Sequence, residues 1–306
     1  MTRVVALLAA VIVVGLAACG DDGAEPGASS EATLVLDFTP NAVHAGLYAA
    51  AGRGWFAGEG LELEIRAPGE STDAPKLLQA GRAEFAVLDI NDWGIARDRG
   101  LDLVPVAALV QVPLGSVIAA DRDAIRRPRD LEGATVGVTG LPSDDAVLDR
   151  VVASDGGDPA RVDRTTVGFD SVAALSAGRV DAATAFWNAE GVALRELGVP
   201  TREFRVGEAT GEPFPELLVV TTRELVESEP ELVDALRAGI ERGYALADDD
   251  PAAALEALLT AEPGLERSVQ EAQIEALTEA DAFAAGVDPG VADPGRIANW
   301  RAFAQP

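Results

Sequence analysis

Histidine, lysine and cysteine each occur once in the 306-residue sequence, as His44, Lys76 and Cys19. A single histidine excludes a metal cluster built on histidines, and it leaves His44 as the only imidazole that a Ser-His-Asp triad could use. No Gly-x-Ser-x-Gly elbow accompanies it. Positive charge is scarce as well: 24 basic against 51 acidic residues give a net charge of −27. A surface of that sign repels phosphate backbones and anionic lipid, so nucleic acid is a poor partner. Most of the acid excess serves solubility. Arginine in place of lysine, with abundant Ala, Val and Gly, is the usage of a high-GC genome rather than part of a mechanism.

What is present begins with an unbroken apolar run over residues 4–16, preceded by Arg3 and followed by small residues. That is the layout of a secretory signal, and it is too short to span a bilayer. Cys19 directly follows Leu16-Ala17-Ala18, an ending that resembles a bacterial lipobox. In proteins with that motif the signal is cut before the cysteine, which is then acylated. The reading assigns residues 1–18 to a signal peptide and residues 19–32 to a lipidated Cys19 and a flexible tether. Residues 20–32 are Gly, Asp, Glu, Ser, Pro and Ala with almost nothing to bury, so they cannot offset the entropy of ordering. The body is expected on the extracytoplasmic face of a membrane, held there by its lipid anchor.

About 270 residues remain, enough for one large or two modest domains with real cores. Strand-like segments occur at residues 33–38, 61–65, 85–88, 103–110, 117–119, 135–138, 164–167, 182–186 and 217–221. Helix-like stretches lie between them. Residues 43–53 are entered through Pro40-Asn41, and residues 72–80 are capped by Ser71 or Thr72 and stopped by Gly81. From residue 224 onward the pattern is mostly helical. The alternation implies α/β layers. One stretch echoes another: Leu78-Gln79-Ala80-Gly81-Arg82-Ala83-Glu84-Phe85-Ala86 recurs in outline as Leu175-Ser176-Ala177-Gly178-Arg179-Val180-Asp181-Ala182-Ala183. Two lobes of similar build would produce this echo, and so would convergence on a common helix-stop device.

Leu36-Asp37-Phe38-Thr39-Pro40-Asn41-Ala42-Val43-His44-Ala45-Gly46-Leu47-Tyr48, followed by Gly54-Trp55-Phe56 and Glu59-Gly60-Leu61, resembles the opening of the periplasmic-type substrate-binding proteins of ABC importers. The closest branch binds pyrimidine precursors of thiamine. Asp130-Leu131-Glu132-Gly133, Gly140-Leu141-Pro142-Ser143 and Phe186-Trp187-Asn188-Ala189-Glu190-Gly191 extend the likeness over nearly the whole mature chain. The resemblance implies an α/β periplasmic binding protein of type II, two lobes joined by a two-strand hinge. Residues 33–119 plus 223–306 would form lobe 1 and residues 120–222 lobe 2, with crossings near residues 119–121 and 221–223. It implies a monomer that captures a small-molecule ligand of the hydroxymethylpyrimidine or formylaminopyrimidine type by lobe closure and delivers it to a permease driven by an ATPase. No cofactor, metal or catalytic residue is expected.

Relatives also bind riboflavin, taurine, sulfonates and nitrate, so the same receptor class with another nutrient is an alternative. Fungal relatives of this fold instead make the thiamine pyrimidine from pyridoxal phosphate and a histidine of their own chain. Here the matching strand end, Val87-Leu88-Asp89-Ile90-Asn91-Asp92, has neither lysine nor histidine, and no cysteine-rich run follows.

Open α/β sheets bind ligands at the carboxyl ends of strands and against helix amino termini. The first strand ends at Asp37 and Phe38, and Asn41 and His44 open the next helix, with Tyr48 on the face of His44. All are expected to look into a cleft, although Asn41 suits a helix cap and His44 a structural helix start. Asp89 and Asn91 follow another strand, and Asp92 reads as a cap. In the second lobe, Thr139 and Ser143 lie between a strand and a helix start, where backbone N–H groups also donate. Trp187, Asn188 and Glu190 follow the strand at 182–186, and Trp187 suits either stacking on a flat ring or filling a core. Glu190 is the principal candidate, because a carboxylate accepts two parallel hydrogen bonds from an amino-heterocycle. The resemblance implies the same contact. Asp37, Asp89 and Glu190 together favour a ligand rich in N–H groups or positively charged; the alternative is three solvated surface acids.

Overall fold

The computed structural model describes residues 29–68, 74–121, 124–210 and 213–304. The expected signal, Cys19 and most of the expected tether lie outside the described residues, as does the cap at Ser71 or Thr72. The first strand, β1 (Ser30–Val35), starts inside the expected tether. Its Ser30, Glu31 and Ala32 pair in parallel with Leu61, Glu62 and Leu63 of β2 (Leu61–Arg66). Ser30 and Glu31 are exposed, so ladder bonds rather than burial hold them, and their polarity hides the strand from a hydrophobicity reading.

A 3-10 turn (Ala42–His44) leads into α1 (Ala45–Gly52), and α2 (Trp55–Gly58) precedes β2. Then α3 (Ala74–Gln79) feeds β3 (Phe85–Asp89), and α4 (Ile90–Asp98) leads to β4 (Leu103–Val110). The middle of the chain forms β5 (Gly115–Ala120), β6 (Thr135–Val138), α5 (Pro142–Ser154), β7 (Asp163–Thr166), α6 (Ser171–Ser176), β8 (Ala182–Phe186), α7 (Glu190–Glu196), β9 (Thr201–Arg205) and α8 (Val206–Thr210). After β10 (Leu217–Thr222) come α9 (Arg223–Ser228), α10 (Pro230–Asp249), α11 (Pro251–Ala261), α12 (Arg267–Glu279) and α13 (Pro294–Ala304).

These strands make two five-stranded sheets, ordered β2-β1-β3-β10-β4 and β7-β6-β8-β5-β9. In the first, β1 is parallel to β2 and β3, and β10 runs antiparallel between β3 and β4. The second repeats that plan, with β6 parallel to β7 and β8, and β5 antiparallel between β8 and β9. The two sequence echoes fall on α3 with β3 and on α6 with β8, which hold equivalent places in the two sheets. Gly81 and Gly178, which end those helices, both have left-handed φ values, +60° and +65°. A side chain there would be strained, so the recurring glycine has a backbone cause.

The crossings between lobes differ from expectation. β5 carries ladder bonds to β8 and β9 on its two sides, and β10 to β3 and β4 on its two sides. The chain therefore leaves the first lobe over residues 111–114 and returns ahead of β10, over residues 213–216, one strand earlier at each crossing. Apolar β-rich runs mark a strand without telling which sheet receives it. The short β9 was not expected either. Only Phe204 of its five residues is buried.

Strands buried on both faces explain the continuous apolar runs. Phe85 and Val87 of β3 face the core shared with α1 and α10, whereas Ala86 and Leu88 face one shared with α4 and α13. Along α10 the buried positions Leu232, Val233, Leu236, Ile240, Tyr244 and Ala247 follow helical spacing. The Tyr244 hydroxyl donates to the Val43 carbonyl at 2.7 Å, which fixes the entry of α1. At the other end of the lobe, α13 docks on α4 through Trp300 against Trp93, centroids 5.8 Å apart. Among the described residues no helix is long and apolar enough to cross a membrane.

Candidate functional site

Between the lobes lies a cavity of about 160 Å³. The segments after β1 and β3 wall it from the first lobe, and those after β6, β7 and β8 from the second. Of the residues expected in the cleft, Asp37, Phe38, Asn41, Asp89, Thr139, Ser143, Asn188 and Glu190 line this cavity.

His44, Tyr48, Asn91 and Trp187 do not line it, and each has a physical reason. Tyr48 is buried in the core, and its hydroxyl donates to Glu262 Oε1 at 3.0 Å. His44 is fully buried; its Nδ1 accepts the Asn41 N–H, and its Nε2 lies 2.9 Å from Asp37 Oδ1. It positions a cleft carboxylate from behind. Asn91 turns the other way, its Oδ1 accepting the Trp300 indole N–H at 2.7 Å, and so helps to seat α13. Trp187 is only 2% exposed and belongs to the core, with its indole N–H donating to the Pro113 carbonyl at 3.0 Å and the Arg205 guanidinium 4.3 Å from its ring. Of the two roles open to it, core filling holds. Asn41 lines the cavity while its side chain works as the cap, accepting from Val43 N–H and donating to the Thr39 carbonyl.

The wall is acidic. Asp37, Asp89 and Asp92 face the cavity from the first lobe, Asp144 and Glu190 from the second, and among the described residues no arginine, lysine or histidine lines it. Asp89, rather than Asp92, caps α4 by accepting the Asn91 N–H. That leaves Asp92, one turn on, free to face the cavity. Burial, then the nearby charge of Asp89, push its carboxyl up to about 7, against the pull of a hydrogen bond from Ser143 across the cleft. Burial also raises Asp144, which is held by the Thr139 hydroxyl and N–H and by the Thr184 hydroxyl. Glu190 is raised by burial as well, and its Oε2 accepts the Phe186 N–H at 3.0 Å. Behind Asp89 sits Glu216, 2% exposed, whose carboxylate accepts the Leu114 and Gly115 N–H groups of the outgoing crossing. Asp89 is raised well above the carboxylate range by burial and by the charge of Glu216.

Two further features mark the cavity. Phe38 of the first lobe meets Phe169 of the second edge-on across the cavity, with centroids 5.2 Å apart. Asn188 is fully buried, and among the described residues neither its Oδ1 nor its Nδ2 has a hydrogen-bond partner. Buried amides are normally satisfied, so this one is set for a group that can both donate and accept. Sequence reading missed Asp92, Asp144, Phe169 and Glu216. The first two stood in the inspected stretches, whereas Phe169 and Glu216 reach the site only through folding, and no local pattern marks them.

Comparison with known proteins agrees with this picture. Residues 41–254 match the family described as NMT1/THI5 like. The formylaminopyrimidine-binding protein of Halalkalibacterium halodurans is 32% identical over 260 residues, covering 84% of this chain and 78% of that protein. A 4-amino-5-hydroxymethyl-2-methylpyrimidine phosphate synthase of Legionella pneumophila is 25% identical over 239 residues, covering 77% and 75%. Among solved structures, the alkanesulfonate-binding protein of Xanthomonas axonopodis pv. citri bound to MOPS superposes with a TM-score of 0.69 at 18% identity, covering 89% of each chain. The fold is that of the periplasmic binding proteins.

Proposed function

The chain belongs to the NMT1/THI5-like family, and we propose that it is the extracytoplasmic binding component of an ABC importer for a thiamine-pyrimidine precursor of the formylaminopyrimidine or hydroxymethylpyrimidine type. The fold and the formylaminopyrimidine-binding relative support a binding-protein role. The observation that carries the choice of ligand is the cavity wall. Among the described residues it presents carboxylates and an unpartnered amide with no cationic side chain, which suits an amino-heterocycle and opposes a sulfonate or nitrate.

Capture follows from the two-lobe layout. A ligand that touches Asp37, Phe38 and Asp92 on one side and Ser143, Asn188 and Glu190 on the other binds the closed arrangement better than the open one, so it draws the lobes together about residues 111–114 and 213–216. Glu190 accepts from the exocyclic amino group of the ring, and Phe38 and Phe169 pack against its flat surface. The closed, monomeric protein then hands its ligand to a permease with an ATPase, while Cys19, acylated after signal cleavage, holds it at the membrane.

A synthase working as the fungal relatives of this fold do would need groups to engage pyridoxal phosphate and a histidine of its own to consume. Among the described residues the cavity wall carries neither lysine nor histidine, and His44 is buried behind Asp37. The proposal is therefore binding without bond-breaking. The test is a thermal-shift screen of the body lacking the signal and Cys19 against hydroxymethylpyrimidine, formylaminopyrimidine, riboflavin, taurine and nitrate. A ligand at about 100 times its Kd stabilises the folded state by about 2.7 kcal/mol. Stabilisation by the pyrimidines, lost in Glu190→Gln, supports the reading; stabilisation by riboflavin or an anion overturns the ligand; release of a pyrimidine from protein, pyridoxal phosphate and iron overturns the role.

A further inference from the structure

The next inference rests on the aminopyrimidine reading and concerns the charge of what is bound. The carboxyl groups around the cavity differ in how they are satisfied. Asp37 has the His44 ring, Asp89 the Asn91 N–H and Glu216, Glu216 two crossing N–H groups, Asp144 both threonines, and Glu190 the Phe186 N–H and its own. Among the described residues Asp92, like Asp37, has one donor, and it takes that donor from the opposite lobe, the Ser143 hydroxyl. A carboxylate offers about four acceptor positions, so Asp92 keeps most of its capacity for something in the cavity.

The position is costly for a charged group. Asp92 of α4 lies against the first turn of α5, where Asp144 follows Ser143, and Asp37 and Asp89 lie on the Asp92 side. Like charges gathered in a poorly solvated cleft repel, and among the described residues no side chain lining it brings a compensating positive charge. The second feature is independent of the acids. Asn188, fully buried with both amide atoms unpartnered, lines the same cavity and marks where a ligand's polar edge sits.

We propose that the ligand is held as a cation, protonated on its ring, and that Asp92 is the specificity-determining residue that selects for that positive charge, with Asn188 meeting the ligand's neutral edge. A bound cation removes the repulsion that opposes closure, so charge recognition and lobe closure are one event. A neutral molecule of the same outline fills the cavity without relieving the repulsion.

The experiment compares two probes by titration calorimetry at one pH: 4-amino-5-hydroxymethyl-2-methylpyrimidine and its 2-trifluoromethyl analogue. The analogue keeps the amino group, but its ring is too electron-poor to hold a proton. The wild-type protein is expected to favour the methyl compound by about tenfold or more, the scale of a hydrogen bond to a charged group. Asp92→Asn should lose most of that preference, and Asp92→Glu should recover part of it. Because Asn matches Asp in shape, a merely steric dislike of the trifluoromethyl group would survive in Asp92→Asn. Equal binding of the two probes by the wild type overturns the cationic ligand. An unchanged preference in a folded Asp92→Asn variant overturns the role of Asp92. Failure of the wild type to bind either probe, while another compound binds, overturns the aminopyrimidine reading and the charge assignment with it.

Discussion

The carboxyl groups of Asp89 and Glu216 are hydrogen-bonded to each other at the base of the cleft, where the chain returns from the second lobe to the first. Two carboxylates make such a bond only with a proton between them, so the pair keeps one proton where isolated acids have lost theirs. Glu216 does more than this. Its N–H donates to the Val110 carbonyl at 3.0 Å, its carbonyl accepts the Ile90 N–H at 2.9 Å, and its carboxylate holds the start of β5. One residue thus ties together both crossings and the start of α4.

Glu216→Ala is expected to lower the unfolding free energy by about 2–4 kcal/mol, since it strands two buried N–H groups and unpairs Asp89. Glu216→Gln, which keeps an acceptor oxygen, should cost clearly less. Urea unfolding midpoints of the three proteins decide the matter, and equal midpoints for Ala and Gln would show that the N–H contacts are not what Glu216 supplies.

Stability should fall as pH rises from about 4 to 7. Asp89, Asp92, Asp144, Glu190 and Glu216 are all raised by burial in the folded state, so over that window the folded protein binds more protons than the unfolded chain. Their contribution is complete below the ordinary carboxylate range and is lost as each raised value is passed, about 7 for Asp92. A shift from 3.8 to about 7 corresponds to at most about 4 kcal/mol. Asp102 with Arg223 and Glu256 with Arg267 tilt the other way, but these exposed pairs contribute little. Melting temperatures across pH 4.5 to 8 for the wild type and Asp92→Asn give the check, and an equally steep decline in the variant would remove Asp92 from the effect.

Trp187→Ala should act on stability rather than recognition. Its indole fills the core and reaches the Pro113 carbonyl, so truncation should cost about 3–5 kcal/mol. The Kd of the remaining folded protein for its ligand should stay within about twofold, less than the smallest gain measured for an aromatic pair. A large loss of affinity in a Trp187→Phe variant of normal stability would return the ring to the binding surface.

Phe169→Ala should do the reverse. Phe169 is 53% exposed and meets only the edge of Phe38 across the cleft. The melting temperature without ligand should hardly change, while affinity for a flat ring should fall by about three- to tenfold. Unchanged affinity would make the aromatic contact incidental.

The layered architecture was legible because buried strands such as β3 and β4 are largely unbroken apolar runs. The echo between residues 78–86 and 175–183 was legible for a conformational reason, the left-handed glycine at each helix end. The partition of strands between lobes was not. Which sheet takes β5 or β10 depends on partners far away in the chain, and both have the same Val- and Ala-rich or Val- and Leu-rich surface. In the site, position after a strand correctly brought eight residues to the cavity but could not give direction. Asn91 and Asp92 are neighbours on one helix turn, and one faces Trp300 while the other faces the cleft. His44 and Trp187 were drawn to the site by their chemistry, yet burial assigns both to the scaffold behind it.

The interruption of the first sheet also sets an order of assembly. The second sheet is made wholly from consecutive strands, β5 to β9, whereas the first cannot join β3 to β4 until β10 slides between them. A chain emerging from its amino end can therefore finish its second lobe while the first still lacks the strand that joins β3 to β4 and the helices α10 and α11 that cover α1. Long-range closure of this kind is slow and leaves strand edges open in the meantime. The last third of the polypeptide acts as the clasp that locks a half-built neighbour, so the lobe that starts first is completed last.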